Sequence, residues 1–227
     1  MWNTFLFAVI PYLAVLIAAL GGIWRYRTDR FSYTSGSSQF LERRALFWGS
    51  TAWHYGILFV LGAHVLAMVI WEPWASLTAN PTRLYVLEVI GLALTFVALA
   101  GLLVLLVRRM VVGRVTTVTT HADWLMLVVL AVQVALGLWI GLGYRWGSEW
   151  YVQTAVPWLH SLFKLNPKTS YVAVLPSVVK IHTVLGFAIV ALFPFTRLVH
   201  IVTFPVTYLW RSYQVVLWNR RPGPARP

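Results

Sequence analysis

Cysteine is absent from the 227 residues. That excludes a disulfide framework, a thiolate-held iron–sulfur cluster, a zinc ribbon and a covalently attached c-type haem. Charge is also scarce: 11% of residues are charged and 59% hydrophobic, where a soluble chain carries roughly 25% charged residues. So few charges cannot clothe a water-facing surface. A soluble monomer, a disordered tail and a fibrous repeat are excluded, which leaves an integral membrane protein. Acid is scarcest of all, with 6 Asp+Glu against 18 Lys+Arg and a net charge of +12. The arginines sit in short patches between apolar runs, with no basic face on a polar domain, so nucleic acid is not the expected partner. The pattern is that of topology signals and attraction to anionic lipid.

What is present is a series of long apolar runs: 5–24, 45–70, 84–107, 124–142 and 177–204. Each reaches the ~20 residues a spanning helix needs, and none alternates as a barrel strand would. The first has no Lys or Arg before it and is read as a retained span, because a cleaved signal peptide begins with a positive segment. The expected fold is an all-α integral membrane protein with five transmembrane helices. Twelve Lys+Arg fall in the connections after runs 1 and 3 and in the C-terminal tail, and four in the opposite loops. The positive-inside rule then puts the N-terminus outside and the C-terminus in the cytoplasm. Residues 1–209 form the membrane domain on this reading and 210–227 a cytoplasmic tail. Aromatic residues of the 144–175 loop, Trp158 among them, are expected at headgroup depth.

Histidine carries the chemical signal. His121 and His160 lie in connections, where a solvated or capping role is expected. His54 and His64 lie in run 2, and His182 and His200 in run 5. An ionisable side chain in hydrocarbon is costly and marks a functional site by default, although interhelical hydrogen bonding alone also accounts for some such residues. Runs 2 and 5 cross the membrane in opposite directions. His54 therefore pairs with His200 near the inner end, and His64 with His182 near the outer end. Facing imidazoles without thiols suit six-coordinate b-type haem. A zinc site would need its ligands in one shell, and the two pairs are too far apart.

Helical arithmetic resists this pairing in one respect. His54 and His64 are 10 residues apart and His182 and His200 are 18 apart, axial rises of ~15 and ~27 Å. On that count His182 and His200 share one face, and two straight helices would leave a mismatch of ~12 Å. Crossed or bent helices, tilted haems, or a bend near His200 at Pro194 or Pro205 would resolve it. Small residues near the histidines, Gly56, Gly62, Ala63, Ala67 and Gly186, suit either a flat macrocycle or close helix packing. Arg197 either pairs a haem propionate or serves as a snorkelling anchor.

The segments Lys180-Ile-His182-Thr-Val-Leu-Gly186 and Leu192-Phe-Pro-Phe-Thr-Arg197-Leu-Val-His200-Ile resemble the gamma subunit of respiratory nitrate reductase, a dihaem cytochrome b. So do Ser37-Ser38-Gln39, His54-Tyr-Gly56, Gly62-Ala-His64, Pro205-Val206 and Tyr213-Gln214. The resemblance implies an anchor in the cytoplasmic membrane that oxidises quinol from the quinone pool. It implies two haems b, with His64 and His182 on the outer one and His54 and His200 on the inner one. It further implies an iron–sulfur subunit and a molybdenum catalytic subunit on the cytoplasmic face, where nitrate is reduced. The quinol site would involve His64, Ala63 and Arg83. A family lysine is Arg83 here and a family glycine is Ala63. Arg83 donates to a quinone oxygen but is too strong a cation to act as a base. Glu72 is a weak candidate proton acceptor, set against an ordinary solvated carboxylate. Residues 36–42 and 210–218 are candidate partner contacts. The rivals are a gamma subunit of formate dehydrogenase or hydrogenase, which the run 5 motif disfavours, and a haem-free transporter.

Overall fold

A computed structural model describes residues 2–203. Every regular element among these residues is helical, and five helices are long and apolar enough to cross a membrane. They are α1 (Trp2–Thr28), α2 (Arg44–Val69), α4 (Pro81–Val111), α5 (His121–Gly143) and α8, whose α-helical part is Ser177–Leu192. The shorter helices between them include α3 (Trp71–Thr78), α6 (Gly147–Gln153) and α7 (Ala155–Phe163), with single helical turns at Gly113–Thr116 and Ser170–Ala173. The protein is thus a five-span membrane protein. The tail 210–227, Pro205 and the candidate contact 210–218 lie outside the described residues.

Local chemistry starts the spans. Asn80 caps α4 by accepting from the N–H groups of Thr82 and Arg83, with Pro81 in the first turn. Thr120 and Asp123 form a reciprocal capping box on α5. Both caps lengthen their helices beyond the apolar runs. His121 is therefore the first helical residue of α5, and Arg83, Arg108 and Arg109 belong to α4 rather than to loops.

Run 5 departs most from expectation. α8 stops at Leu192, and a 3-10 turn covers Phe193–Phe195. Thr196 is extended (φ −124°, ψ −179°), and a second 3-10 turn covers Arg197–Ile201. Pro194 has no N–H to continue the ladder. The helix of run 5 thus ends at Leu192, and the bend expected at Pro194 or Pro205 is seen at Pro194. His182 and His200 do not share a helical face, and the rise counted along a straight helix does not apply to His200. The bend at Pro194 takes His200 off the straight-helix count, and its ring lies 6.1 Å from that of His54.

α2 and α4 pack antiparallel and most closely. A Cβ on Gly56 would lie 2.7 Å from the Leu94 carbonyl oxygen, and one on Gly101 would lie 2.5 Å from the Trp53 nitrogen. Gly56 thus serves helix packing, whereas Gly62 has nothing within 4 Å of such a Cβ. Gly101→Leu is expected to push α2 away beside His54. It would cost about 1–3 kcal/mol or more, read as a lower unfolding midpoint in detergent.

The end of the bundle away from the arginines is built around Trp158. This residue was expected at headgroup depth, yet it is 1% exposed, edge-on to Phe7 and Phe187. Pro11 lacks the N–H that would reach the Phe7 carbonyl one turn back. The helix widens to a π turn over Phe5–Val9, and the Trp158 indole N–H donates to that carbonyl at 2.8 Å. The 144–175 loop is thereby a packed cap on the bundle.

Candidate functional site

The four intramembrane histidines are presented in a common chemical form. In each ring Nδ1 faces a backbone carbonyl: Ser50 for His54 at 2.7 Å, Val60 for His64 at 2.8 Å, Gln133 for His182 at 3.1 Å and Arg197 for His200 at 2.6 Å. A carbonyl only accepts, so Nδ1 carries the proton and Nε2 keeps the lone pair that a metal takes. Metal-ligating histidines show this arrangement, with the second nitrogen donating to a carbonyl or carboxylate.

His54 and His200 are brought together, with ring centroids 6.1 Å apart and planes at 70°. An imidazole nitrogen bonds a transition metal at about 2 Å. Two rings on opposite sides of one iron therefore sit with centroids roughly 6 Å apart. The inner pair fits a bis-imidazole haem on separation and tautomer. The outer pair is engaged differently. The His64 ring lies edge-on to Tyr151 at 5.4 Å, and the Tyr151 hydroxyl donates to the His64 carbonyl at 3.3 Å. His182 lies against Gln133 and Gly137 of α5. Burial pushes the Tyr151 phenol up to about 12, so it remains a donor at neutral pH. Among the described residues no group of three or more His, Cys, Asp or Glu converges. The imidazole pair seen face to face among the described residues is His54 with His200.

The remaining candidates are spread out. Ala63 precedes His64 on α2, and Arg83 is exposed on the first turn of α4 at the same end of the bundle. Among the described residues no side-chain hydrogen bond joins Arg83 to His64. Glu72 is exposed in the first turn of α3. His121 is exposed, and His160 donates from Nε2 to the Met68 carbonyl at 2.9 Å, near the end of α2. That is the capping role expected of it.

At the arginine-rich end Arg25 and Arg108, read as topology signals, and Arg197, read as a propionate partner or an anchor, are clamps on the 29–43 connection. Arg108 is 2% exposed. It pairs with Glu42 at 2.6 Å and donates to the Ser38 hydroxyl and to the carbonyls of Ser38 and Glu42. Arg25 donates to the Ser32 hydroxyl and carbonyl and reaches the carbonyls of Pro194 and Thr196. Arg197 pairs with Asp123 at 2.5 Å and donates to the carbonyls of Ser35 and Gly36. Gly36 has φ +54°, and a Cβ there would strike that guanidinium, so glycine is required on both counts. The rarity of acid was the overlooked signal: Glu42 and Asp123 lie among the arginines and pair with them.

The Ala45 N–H first, and then the Arg108 guanidinium, hold the Glu42 carboxyl down from 4.5 to about 2. A carboxylate with a depressed folded pKa stabilises above its unfolded value and loses that contribution as pH falls through the folded one. Thermal stability is expected to decline between about pH 4.5 and 2, and Glu42→Gln to flatten that decline. Equal acid profiles for the two proteins would contradict this assignment.

Five apolar spans, with His54 on the second facing His200 in the turn after the fifth, define the class: a polytopic membrane protein with a paired-imidazole site. The comparisons narrow it. The sequence profile of the nitrate reductase gamma subunit family matches residues 3–219. The chain is 34% identical to the nitrate reductase gamma chain of Bacillus subtilis, over 92% of this chain and 96% of that one. It is 32% identical to the respiratory nitrate reductase 1 gamma chain of Escherichia coli, over 94% and 96%. It is also 35% identical to the nitrate reductase-like protein NarX of Mycobacterium tuberculosis, over 94% of this chain but 33% of that protein. This chain thus spans about a third of the length of that relative. The chain belongs to the nitrate reductase gamma subunit family.

Proposed function

We propose that this chain is the quinol-oxidising anchor of a respiratory nitrate reductase in the cytoplasmic membrane. The observation that carries the reading is the His54–His200 pair, with rings 6.1 Å apart and both Nδ1 atoms committed to carbonyls. His54 and His200 would hold an inner haem b, and His64 and His182 an outer one. Bound there, a b-type haem supplies a one-electron carrier between two nitrogen ligands.

The arginine-rich end faces the cytoplasm by the positive-inside rule. The N-terminus and the Trp158 cap then lie outside. Arg83, on the outer end of α4, donates to an oxygen of the bound quinol, and Ala63 leaves room beside His64. Tyr151 holds the main chain of His64 in place. The protons of the quinol leave on the outer side while its electrons pass inward. Each elementary charge so moved against 100 mV is worth about 2.3 kcal/mol. Arg197 has its guanidinium on Asp123, and it reaches a propionate of the inner haem only by sharing or exchanging that partner. On the cytoplasmic face the 29–43 connection, held by Arg25, Arg108 and Arg197, is the platform for an iron–sulfur subunit. That subunit passes electrons to a molybdenum subunit where nitrate is reduced.

The test is a pyridine haemochrome assay on the purified chain, followed by anaerobic addition of a quinol. Two b haems per chain, both reduced by quinol, are expected. A haem-free chain overturns the reading and favours a transporter. Haems reduced by formate or hydrogen through copurifying subunits, and not by quinol, favour the opposite electron direction.

A further inference from the structure

α5 carries no haem ligand in the reading above, yet one of its residues holds both nitrogens of a ligand. His182 Nδ1–H donates to the Gln133 main-chain carbonyl at 3.1 Å, and the Gln133 side-chain Nε2 lies 3.4 Å from His182 Nε2. The other three histidines take their Nδ1 acceptor from their own helical turn. His182 alone takes it from a different span. The amide group makes this arrangement at a cost, because Gln133 Oε1 is buried and has no partner. A carboxamide free to choose would satisfy its oxygen. This one is turned so that its N–H₂ meets the lone pair of the imidazole.

The two helices are shaped for that contact. Gly137 lies one turn beyond Gln133, and a Cβ there would be 3.2 Å from His182 Cε1. Gly186 lies one turn beyond His182, and a Cβ there would be 3.4 Å from Gln133 Nε2. Each helix thus offers a polar residue and, four positions on, a glycine that admits the polar residue of the other. Any side chain at either glycine crowds the pair.

We propose that Gln133 is the positioning residue of His182, fixing the tautomer and plane of the ring so that Nε2, and not Nδ1, is presented to the outer haem. The main-chain carbonyl sets the tautomer. The carboxamide covers Nε2 until a stronger electron-pair acceptor arrives, and it must move aside for that acceptor to bind. This inference rests on the dihaem reading proposed above.

The experiment compares wild type, Gln133→Leu and Gly137→Ala as the full chain in detergent. Haem is counted by pyridine haemochrome, and the two low-spin haems are resolved by electron paramagnetic resonance and redox titration. Gly137→Ala, which crowds the His182 ring, is expected to shift the signal and midpoint of the outer haem and to lower haem content from two toward one per chain, and Gln133→Leu, which removes the amide but keeps the main-chain carbonyl, to shift that signal and midpoint with both haems kept. The signal of the haem held by His54 and His200 should not move. Gln133→Asn, with a shorter amide, is read in the same way if Gln133→Leu does not accumulate. Two haems with unaltered signals in the variants overturn the inference. Equal loss of both haems also overturns it, since Gln133 would then serve only general packing. A wild-type chain lacking two b haems overturns the parent reading instead, so the two failures are distinguishable.

Discussion

His200→Ala is expected to remove the proposed inner haem while the outer one remains, leaving quinol able to reduce one haem but no electron flow to a cytoplasmic acceptor. Among the described residues it is the ring of His200 that faces His54, with centroids 6.1 Å apart. Its orientation is set locally, by the 2.6 Å bond from Nδ1 to the Arg197 carbonyl within one 3-10 turn. Deleting the ring therefore takes away a ligand without removing a packing element, and Val199 beside it, fully buried, keeps the turn in place. The complementary change, His64→Ala, should take away the outer haem and spare the inner. Optical spectra with a haem count decide both cases. Retention of both haems in either variant would refute the assigned pairs.

Arg197→Ala is the second large effect. The guanidinium bridges three parts of the chain: Asp123 at the start of α5, the carbonyls of Ser35 and Gly36 in the connection after α1, and its own turn, which carries His200. Asp123 is 5% exposed at its side chain, and its other cation, Arg109, is 3.8 Å away. Removing Arg197 leaves that carboxylate buried with one distant cation and the Thr120 N–H. Breaking a buried pair from one side costs about 3–5 kcal/mol. The expected result is a much lower unfolding midpoint together with a shifted spectrum of the inner haem. Arg197→Lys should recover part of the stability, since lysine restores the charge but not the planar fork. A double variant with Asp123→Asn should be less unstable than Arg197→Ala alone, because it removes the uncompensated charge. An unchanged midpoint in Arg197→Ala would show that the pair contributes nothing.

The five spans were determined by the sequence alone, which also singled out the four histidines. Hydrocarbon imposes a length and an apolarity that few other environments require, and an imidazole inside such a run has no cheap structural excuse. Pro194 likewise announced a bend, because a missing N–H is a local defect that needs no tertiary partner. Contacts between distant segments were decided only by the tertiary structure. Gly56 and Gly62 look alike in the sequence, yet one is pressed against Leu94 and Ala98 while the other faces open space. Trp158 carried an ordinary interfacial signature, and its place in the core follows from an unpaired carbonyl at Phe7, more than a hundred residues away. Arg108 satisfied the charge rule and Arg197 was read as a propionate partner or an anchor, so their pairing with Glu42 and Asp123 left no trace in the sequence. Gln133 was a single amide in an apolar run, and only the approach of α8 to α5 makes it the residue that holds both nitrogens of His182. Composition and period are sums over one segment, whereas hydrogen bonds between spans depend on which faces meet, and that is decided when the whole bundle packs.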